Sequence, residues 1–394
     1  MNDVAEFKET IPVVMDLRNE TLKPRHWDQL HDLVGYQIKG VEGFTMGNLI
    51  SRGINKHADA INVISVEAVQ EHVLEQMLAK VAKLWKNAEF EVMPYKEQKD
   101  VFILGVDEKI IADLDDSLVN LSTILGSRYV GPIREEVEEI QSKLVLLQET
   151  LDEWVTCQKN WMYLENIFSA PDIKKQLPVE SKQFDQVDTS WKEILKMTNE
   201  NPNCIRAGTH TGRRDLFMKH NAVLDQIQKS LEDYLEKKRG LFARFYFLSN
   251  DELLEILAKT KDPRAVQPYL RKCFDALNEL EFGPTQGSVD IVAMKSPKGE
   301  RVPLGRNLKA MGQVEEWMTS VENRMKVAIH KAMKAGLVNY AEIPRKEWVF
   351  EHPGQVVMTI SQVMWANGTT DALSNLSSNA ESIQQWLDQN RSQL

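Results

Sequence analysis

Apolar residues recur every three or four positions along most of the chain, the repeat that gathers them on one face of an α-helix. The longest such run opens after Pro132 and continues to about Phe168, with Ile133, Val137, Ile140, Leu144, Leu147, Leu151, Trp154, Cys157 and Trp161 in step. At 1.5 Å per residue it predicts an amphipathic helix roughly 50 Å long, broken afterwards by Pro171 and Pro178. A second run, from about His57 to Asn87, carries Ile61, Ile64, Ala68, Leu78, Val81 and Trp85. It predicts a helix on the order of 45 Å. Further helical patterns cover 11–18, 24–34, about 107–126, 180–197, 213–239, 262–277 and 312–335, and one opens at Pro353. The tail from Asn367 is polar and helix-compatible, and it stops without a terminal cap, as a piece cut from a longer chain would.

Start and stop signals support these runs. Pro24 stands where a helix begins, at no hydrogen-bonding cost. Ser249 and Glu252 have the spacing of a capping box. Lys237, Lys238 and Arg239 followed by Gly240 predict a helix stop.

Twice the helical period gives way to short β-prone runs. Phe90–Pro94 and Val101–Gly105 flank a charged turn, and Val289–Met294 and Glu300–Leu304 flank a Pro/Gly turn. Both read as β-hairpins, at about 88–105 and 288–305. The expected fold is therefore mostly α: an elongated stack of helical bundles with two β-hairpin insertions. Trp27, Trp85, Trp154, Trp161, Trp191 and Trp317 fall on apolar faces and are expected to pack the core. Trp154 and Trp161, seven apart, share one face. No internal repeat of fixed period is visible.

Composition narrows the function. The 394 residues are 42% hydrophobic and 27% charged, with a formal net charge of -10. An acidic chain is a poor match for nucleic acid, whose phosphates require a basic footprint. Cys157, Cys204 and Cys273 are few, scattered and odd in number, which predicts free thiols in a reducing compartment. The N-terminus is polar and acidic, unlike a signal peptide, and no run approaches the ~20 apolar residues of a membrane span. The chain reads as cytosolic, with neither membrane nor nucleic acid as partner.

Catalytic patterns are missing. Gly40, Gly43 and Gly47 lack the Lys-Ser/Thr that completes a phosphate-binding loop. His26 and His31 do not share a helix face and read as packing or surface histidines. Asp113, Asp115 and Asp116 lie in a helical run, where a solvated acidic face is expected. There is no GxSxG elbow. No catalytic, metal, nucleotide or cofactor residue is assigned, and the chain is not expected to be an enzyme.

Two kinds of segment stand out instead. The hairpin tips carry Tyr95, Lys96 and Lys99 in one case and Lys295 and Lys298 in the other. They read either as ordinary turns or as docking elements held out by a rigid scaffold. Segments 199–212 and 240–250 collect turn residues between helices, and either could be a plain loop or a hinge. The first, with Pro202, Gly208 and Gly212, is preferred and read as loose. The corresponding division is 1–198 and 213–394, with 199–212 between.

Five stretches occur in order that resemble the linker region of dynein heavy chains: 24–30 (PRHWDQL), 161–168 (WMYLENIF), 244–254 (RFYFLSNDELL), 261–270 (KDPRAVQPYL) and 347–357 (EWVFEHPGQVV). The wording of 244–254 and 261–270 is most similar to the axonemal branch. The resemblance implies a mechanical lever that bends and straightens across an AAA+ ring, so coupling ATP hydrolysis to microtubule-based movement in a cilium or flagellum. It implies that ATP and Mg are bound by that ring, outside this chain. The implied partners are the ring of the same heavy chain, its tail and other dynein or axonemal subunits, with the microtubule reached only indirectly. Alanine at Gly208 and Gly212 is then expected to slow movement and spare basal ATP turnover. Two rival readings remain open: a passive helical scaffold or adaptor rod, against which the unequal helices speak, and a helical enzyme with an unrecognised site.

Overall fold

The computed structural model describes residues 2–40, 45–96, 100–105, 108–259, 262–285, 287–306 and 308–392. The chain opens with α1 (Asn2–Leu17), α2 (Pro24–Val34), α3 (Met46–Ser51) and the long α4 (Ala58–Asn87). A hairpin, β1 (Val92–Pro94) and β2 (Phe102–Leu104), precedes α5 (Glu108–Leu125) and α6 (Arg134–Phe168). Then come α7 (Pro171–Gln176), α8 (Pro178–Glu200), α9 (Cys204–Gly208), α10 (Arg213–Leu241), α11 (Asn250–Ala258) and α12 (Leu270–Cys273). A sheet of β3 (Glu279–Phe282), β4 (Ile291–Lys295) and β5 (Arg301–Pro303) leads to α13 (Val314–Glu342), α14 (Arg345–Glu351), α15 (Gly354–Ser374) and α16 (Ser382–Ser392). The fold is mostly helical with two small antiparallel sheets.

The helices divide between two compact units, Met1–Met162 with Asp185–Asp225, and Tyr163–Phe184 with Gln226–Leu394; α6, α8 and α10 contribute residues to both. Segment 199–212 lies inside the first unit.

In the first unit, Val13, Leu17, Leu30, Leu49, Ile54 and Ile61 form one apolar cluster under α1 and α4, with Trp27 half-buried against it. His26 explains how α2 starts. Its Nδ1 accepts the Lys23 backbone N–H at 3.1 Å, supplying a cap where no Ser or Asp stands. Its Nε2 lies 2.8 Å from a Glu71 carboxylate oxygen on α4. Trp85 is buried and donates from Nε1 to Ser117 Oγ at 2.9 Å, joining α4 to α5.

In the second unit, Phe168 and Phe184 stack with ring centres 5.4 Å apart. Trp348 is fully buried among Val356, Ile360, Ile329 and Met333, and its Nε1 donates to the Gly336 carbonyl at 3.0 Å. Two helical glycines permit close approach here. A Cβ on Gly336 would fall 2.6 Å from Ile360 Cδ1, and one on Gly368 would fall 2.3 Å from the Trp386 ring.

The second hairpin forms as expected between β4 and β5, through Met294↔Val302, and gains a third strand where Glu279–Phe282 pairs with β4 through Leu280↔Met294. Two expectations are corrected. The helix expected over 262–277 is a 3-10 stretch, Pro263–Tyr269, then four residues of α12, after which Phe274 is extended. Pro263 and Pro268 withhold two backbone donors, and the Gln267 amide turns instead to the backbone of Leu280, donating at 2.7 Å and accepting at 3.1 Å. Finally, α10 runs through Gly240 to Leu241. Lys238 and Arg239 do not cap it; they reach Gln313 and Glu315, and Leu248 and Asn250.

Candidate functional site

The most highly built part of the first unit is the seat of the hairpin. Gln158, buried on α6, accepts from the Leu104 N–H at 2.8 Å and donates to the Leu104 carbonyl at 2.8 Å. Its side chain thus acts as a further strand residue on β2, satisfying both polar groups of a buried backbone position. The register Val92↔Leu104, Met93↔Ile103, Pro94↔Phe102 then fixes β1 beside it.

Aromatic rings complete the joint. Phe90, just before β1, meets Trp154 at 5.7 Å between ring centres. Trp154 stacks on Phe217 of α10 at 4.9 Å, and Phe217 meets Trp191 of α8 at 6.3 Å. Trp191 stacks on Trp161 at 5.3 Å, and Trp161 meets Tyr95, just after β1, at 5.1 Å. Six rings therefore run from one end of β1, across three helices, and back to its other end. Such pairs contribute about 0.5–1.5 kcal/mol each beyond their burial, and they are stiff because rings have few rotamers. Trp161 Nε1 also donates to Asp188 Oδ1 at 3.1 Å, and Lys192 holds the same carboxylate at 2.7 Å.

Of the tryptophans assigned to the core, Trp85, Trp154, Trp161, Trp191 and Trp317 are buried and Trp27 is half-buried. Trp348 was missed, since α14 is too short for its period to show. Tyr95 does not stand on the hairpin tip: its ring gains more from burial against Trp161 than from solvent. Lys96 is exposed with φ 55°, its Nζ 4.8 Å from the Tyr95 ring centre. Lys99 lies outside the described residues.

The other tip belongs to the second unit. Lys295 sits on β4, with Glu279 and Glu281 each at 3.5 Å, while Lys298 is exposed in the turn. Arg301 and Lys295 hold the Glu281 carboxyl below its usual range, the Arg301 hydrogen bond being the larger cause. Glu300 accepts the Gly354 N–H at 2.8 Å, so this tip caps α15.

The three hinge candidates differ from one another. Pro202 accepts the Phe90 N–H on its carbonyl at 2.8 Å, and Cys204 N donates to Ala88 at 2.9 Å, which ties the segment to the hairpin base. Gly208 is buried at the end of α9 against Leu147. Gly212 is exposed, with φ 74° and open space around it. The reading of 199–212 as loose is therefore corrected for Pro202 and Gly208. At 240–250, Phe245 is buried in a 3-10 turn and Ser249 forms the expected capping box with Glu252.

Among the described residues no group of His, Cys, Asp and Glu could hold a metal ion, and no helix is long and apolar enough to cross a membrane. Cys157, Cys204 and Cys273 are buried and form no disulfide. Burial pushes the Cys157 thiol to about 12, with Glu153 adding to the rise, and burial raises Cys273 to about 11.

The family model for the dynein heavy chain, N-terminal region 2, matches residues 1–336. The chain belongs to the dynein heavy chain family. Human dynein axonemal heavy chain 6 is 48% identical over 394 residues, covering 95% of this chain and 10% of that protein. Mouse dynein axonemal heavy chain 3 is 39% identical over 373 residues, and human dynein axonemal heavy chain 1 is 38% identical over 370; each covers 94% of this chain and 9% of its own length. The chain thus spans about a tenth of the length of the curated relatives it matches. In this dynein heavy chain region, all five stretches that carried the resemblance have structural explanations. PRHWDQL contains the cap His26, WMYLENIF the ring Trp161, RFYFLSNDELL the capping box, KDPRAVQPYL the two prolines and Gln267 of the 3-10 stretch, and EWVFEHPGQVV the buried Trp348.

Proposed function

We propose that this chain is the linker of an axonemal dynein, a lever that moves across the AAA+ ring as the ring hydrolyses ATP. The chain itself performs no catalysis; ATP and Mg belong to the ring, and the tail and other axonemal subunits complete the motor. The observation that carries this reading is the run of six rings joining the hairpin to α6, α8 and α10 in a member of the dynein heavy chain family. A lever transmits force only where its parts resist relative movement, and stacked rings with a doubly bonded Gln158 supply that resistance.

A lever also needs contacts with its track that differ between nucleotide states, since only differential interaction shifts a population. The test is binding of this chain to a dynein motor lacking it, titrated without nucleotide, with ADP, and with ADP and vanadate. The expected result is an affinity that changes tenfold or more between states, about 1.4 kcal/mol of coupling. Equal affinity in all three states would replace the lever with the passive scaffold.

A further inference from the structure

The end of α8, α9 and the start of α10, all in the first unit, enclose an open cavity of about 270 Å³. Three basic side chains, Arg206, His210 and Arg213, line it, against a single acid, Glu200. Arg213 is only 6% exposed. Its Nη1 donates to the Ala207 carbonyl at 3.1 Å, and its guanidinium lies 5.7 Å from the centre of the Trp154 ring. No carboxylate pairs with it among the described residues, and burial alone lowers its pKa. Arg214, its neighbour, is fully engaged elsewhere, with Glu149 and Asp215.

A buried cation without a counter-ion is costly. A guanidinium offers five donors in a planar fork that matches a carboxylate, and one backbone carbonyl leaves most of that fork to the cavity. Arg213 is also the first residue of α10, so the positive end of a 29-residue helix adds to the field, partly offset by Asp215 in the first turn. Two arginines against one glutamate leave a single positive charge before His210 is counted, which one carboxylate neutralises and a phosphate dianion overshoots. Met197 and Ala207 give the cavity an apolar wall. That wall suits the two methylenes of glutamate better than the one of aspartate.

We propose that this cavity is a docking socket for a glutamate side chain presented by a partner polypeptide, its carboxylate held by Arg213 and Arg206. The socket draws on both sides of segment 199–212, so an occupant bridges the end of α8 to the start of α10. The inference does not depend on the lever reading.

The test titrates this chain with N-acetylglutamate N-methylamide and follows the arginine side-chain signals by NMR. Saturable binding is expected, with at least tenfold weakening in Arg213→Lys, which keeps the charge and loses the fork. Arg206→Gln, at an exposed site whose substitution leaves the fold intact, is expected to weaken binding at least fivefold. The glutamine analogue is expected not to bind. The proposal is overturned by absence of saturation, by equal binding of the glutamine analogue, or by wild-type affinity in Arg206→Gln. Tighter binding of free glutarate would assign the site to a small dicarboxylate, and tighter binding of a phosphoserine analogue to a phosphorylated partner; either result overturns the glutamate assignment.

Discussion

Gly208→Ala separates packing from flexibility in segment 199–212. A Cβ at this position would lie 2.2 Å from Leu147 Cδ1, 1.2 Å inside the 3.4 Å at which ordinary contact begins. Leu147 is fully buried on α6, so its side chain has no open space to enter. Overpacking of this kind costs about 1–3 kcal/mol. Alanine returns at most about 1 kcal/mol of helix propensity, and less at the last residue of a five-residue helix. The expected net loss is about 1–2 kcal/mol, felt first where α9 meets α6. Leu147→Ala alone should cost about 2–5 kcal/mol. In the double variant the new methyl occupies space that Leu147 vacated, so the two costs should fall short of additivity by about 1–2 kcal/mol. Native-state hydrogen exchange of amides in α6 and α9 reads this locally, without requiring the whole chain to unfold in one step. Additive costs, or a Gly208→Ala chain as protected as wild type, would refute the steric argument. Gly212→Ala is the cleaner probe of stiffness. Its cost of about 1 kcal/mol comes from φ 74° alone, since nothing surrounds the position.

Lys238→Met should destabilise the second unit by about 3–5 kcal/mol in chemical denaturation, because Glu315, 3% exposed, loses its cation. Adding Glu315→Leu should recover most of that loss, and a double variant as unstable as the single one would contradict this account. Burial lowers the pKa of His220 below its ordinary 6.5. The native chain therefore resists a proton that the unfolded chain accepts, so this contribution is complete above about pH 6.5 and is lost as pH falls through the lower native value. Unfolding curves between pH 7.5 and 5 should show a decline that His220→Gln flattens; an identical decline in the variant counts against it. Cys157 and Cys273, buried and with thiols pushed to about 12 and 11, should resist a disulfide reagent at pH 8 until the chain is unfolded. Rapid labelling of the native chain would show that burial does not protect them.

Much of the fold was legible as pattern. The three-to-four residue spacing located α4, α6, α8 and α10 to within a few residues, because in a long helix the buried face must repeat with the backbone. Short elements were less legible. α14 offers seven residues, too few for a period, and β3 is a four-residue strand whose partner lies on the far side of a loop. The hinge candidates were chosen for residue type, yet residue type does not distinguish Gly208, buried against Leu147, from Gly212, open to solvent.

The sequence by itself determined the mostly helical class, the positions of the long helices, the capping box at Ser249 and the apolar faces that carry the tryptophans. Those are local consequences of backbone geometry and of which residues avoid water. Only the tertiary structure decided what each face meets. Gln158 and Leu104 are 54 residues apart, and Phe217 reaches Trp154 and Trp191 from a third helix. Arg213 became a buried cation facing a cavity only when α8, α9 and α10 closed around it. A periodicity records that a side chain is buried; the partner depends on how helices far apart in sequence pack, and that is set by shape across the whole core.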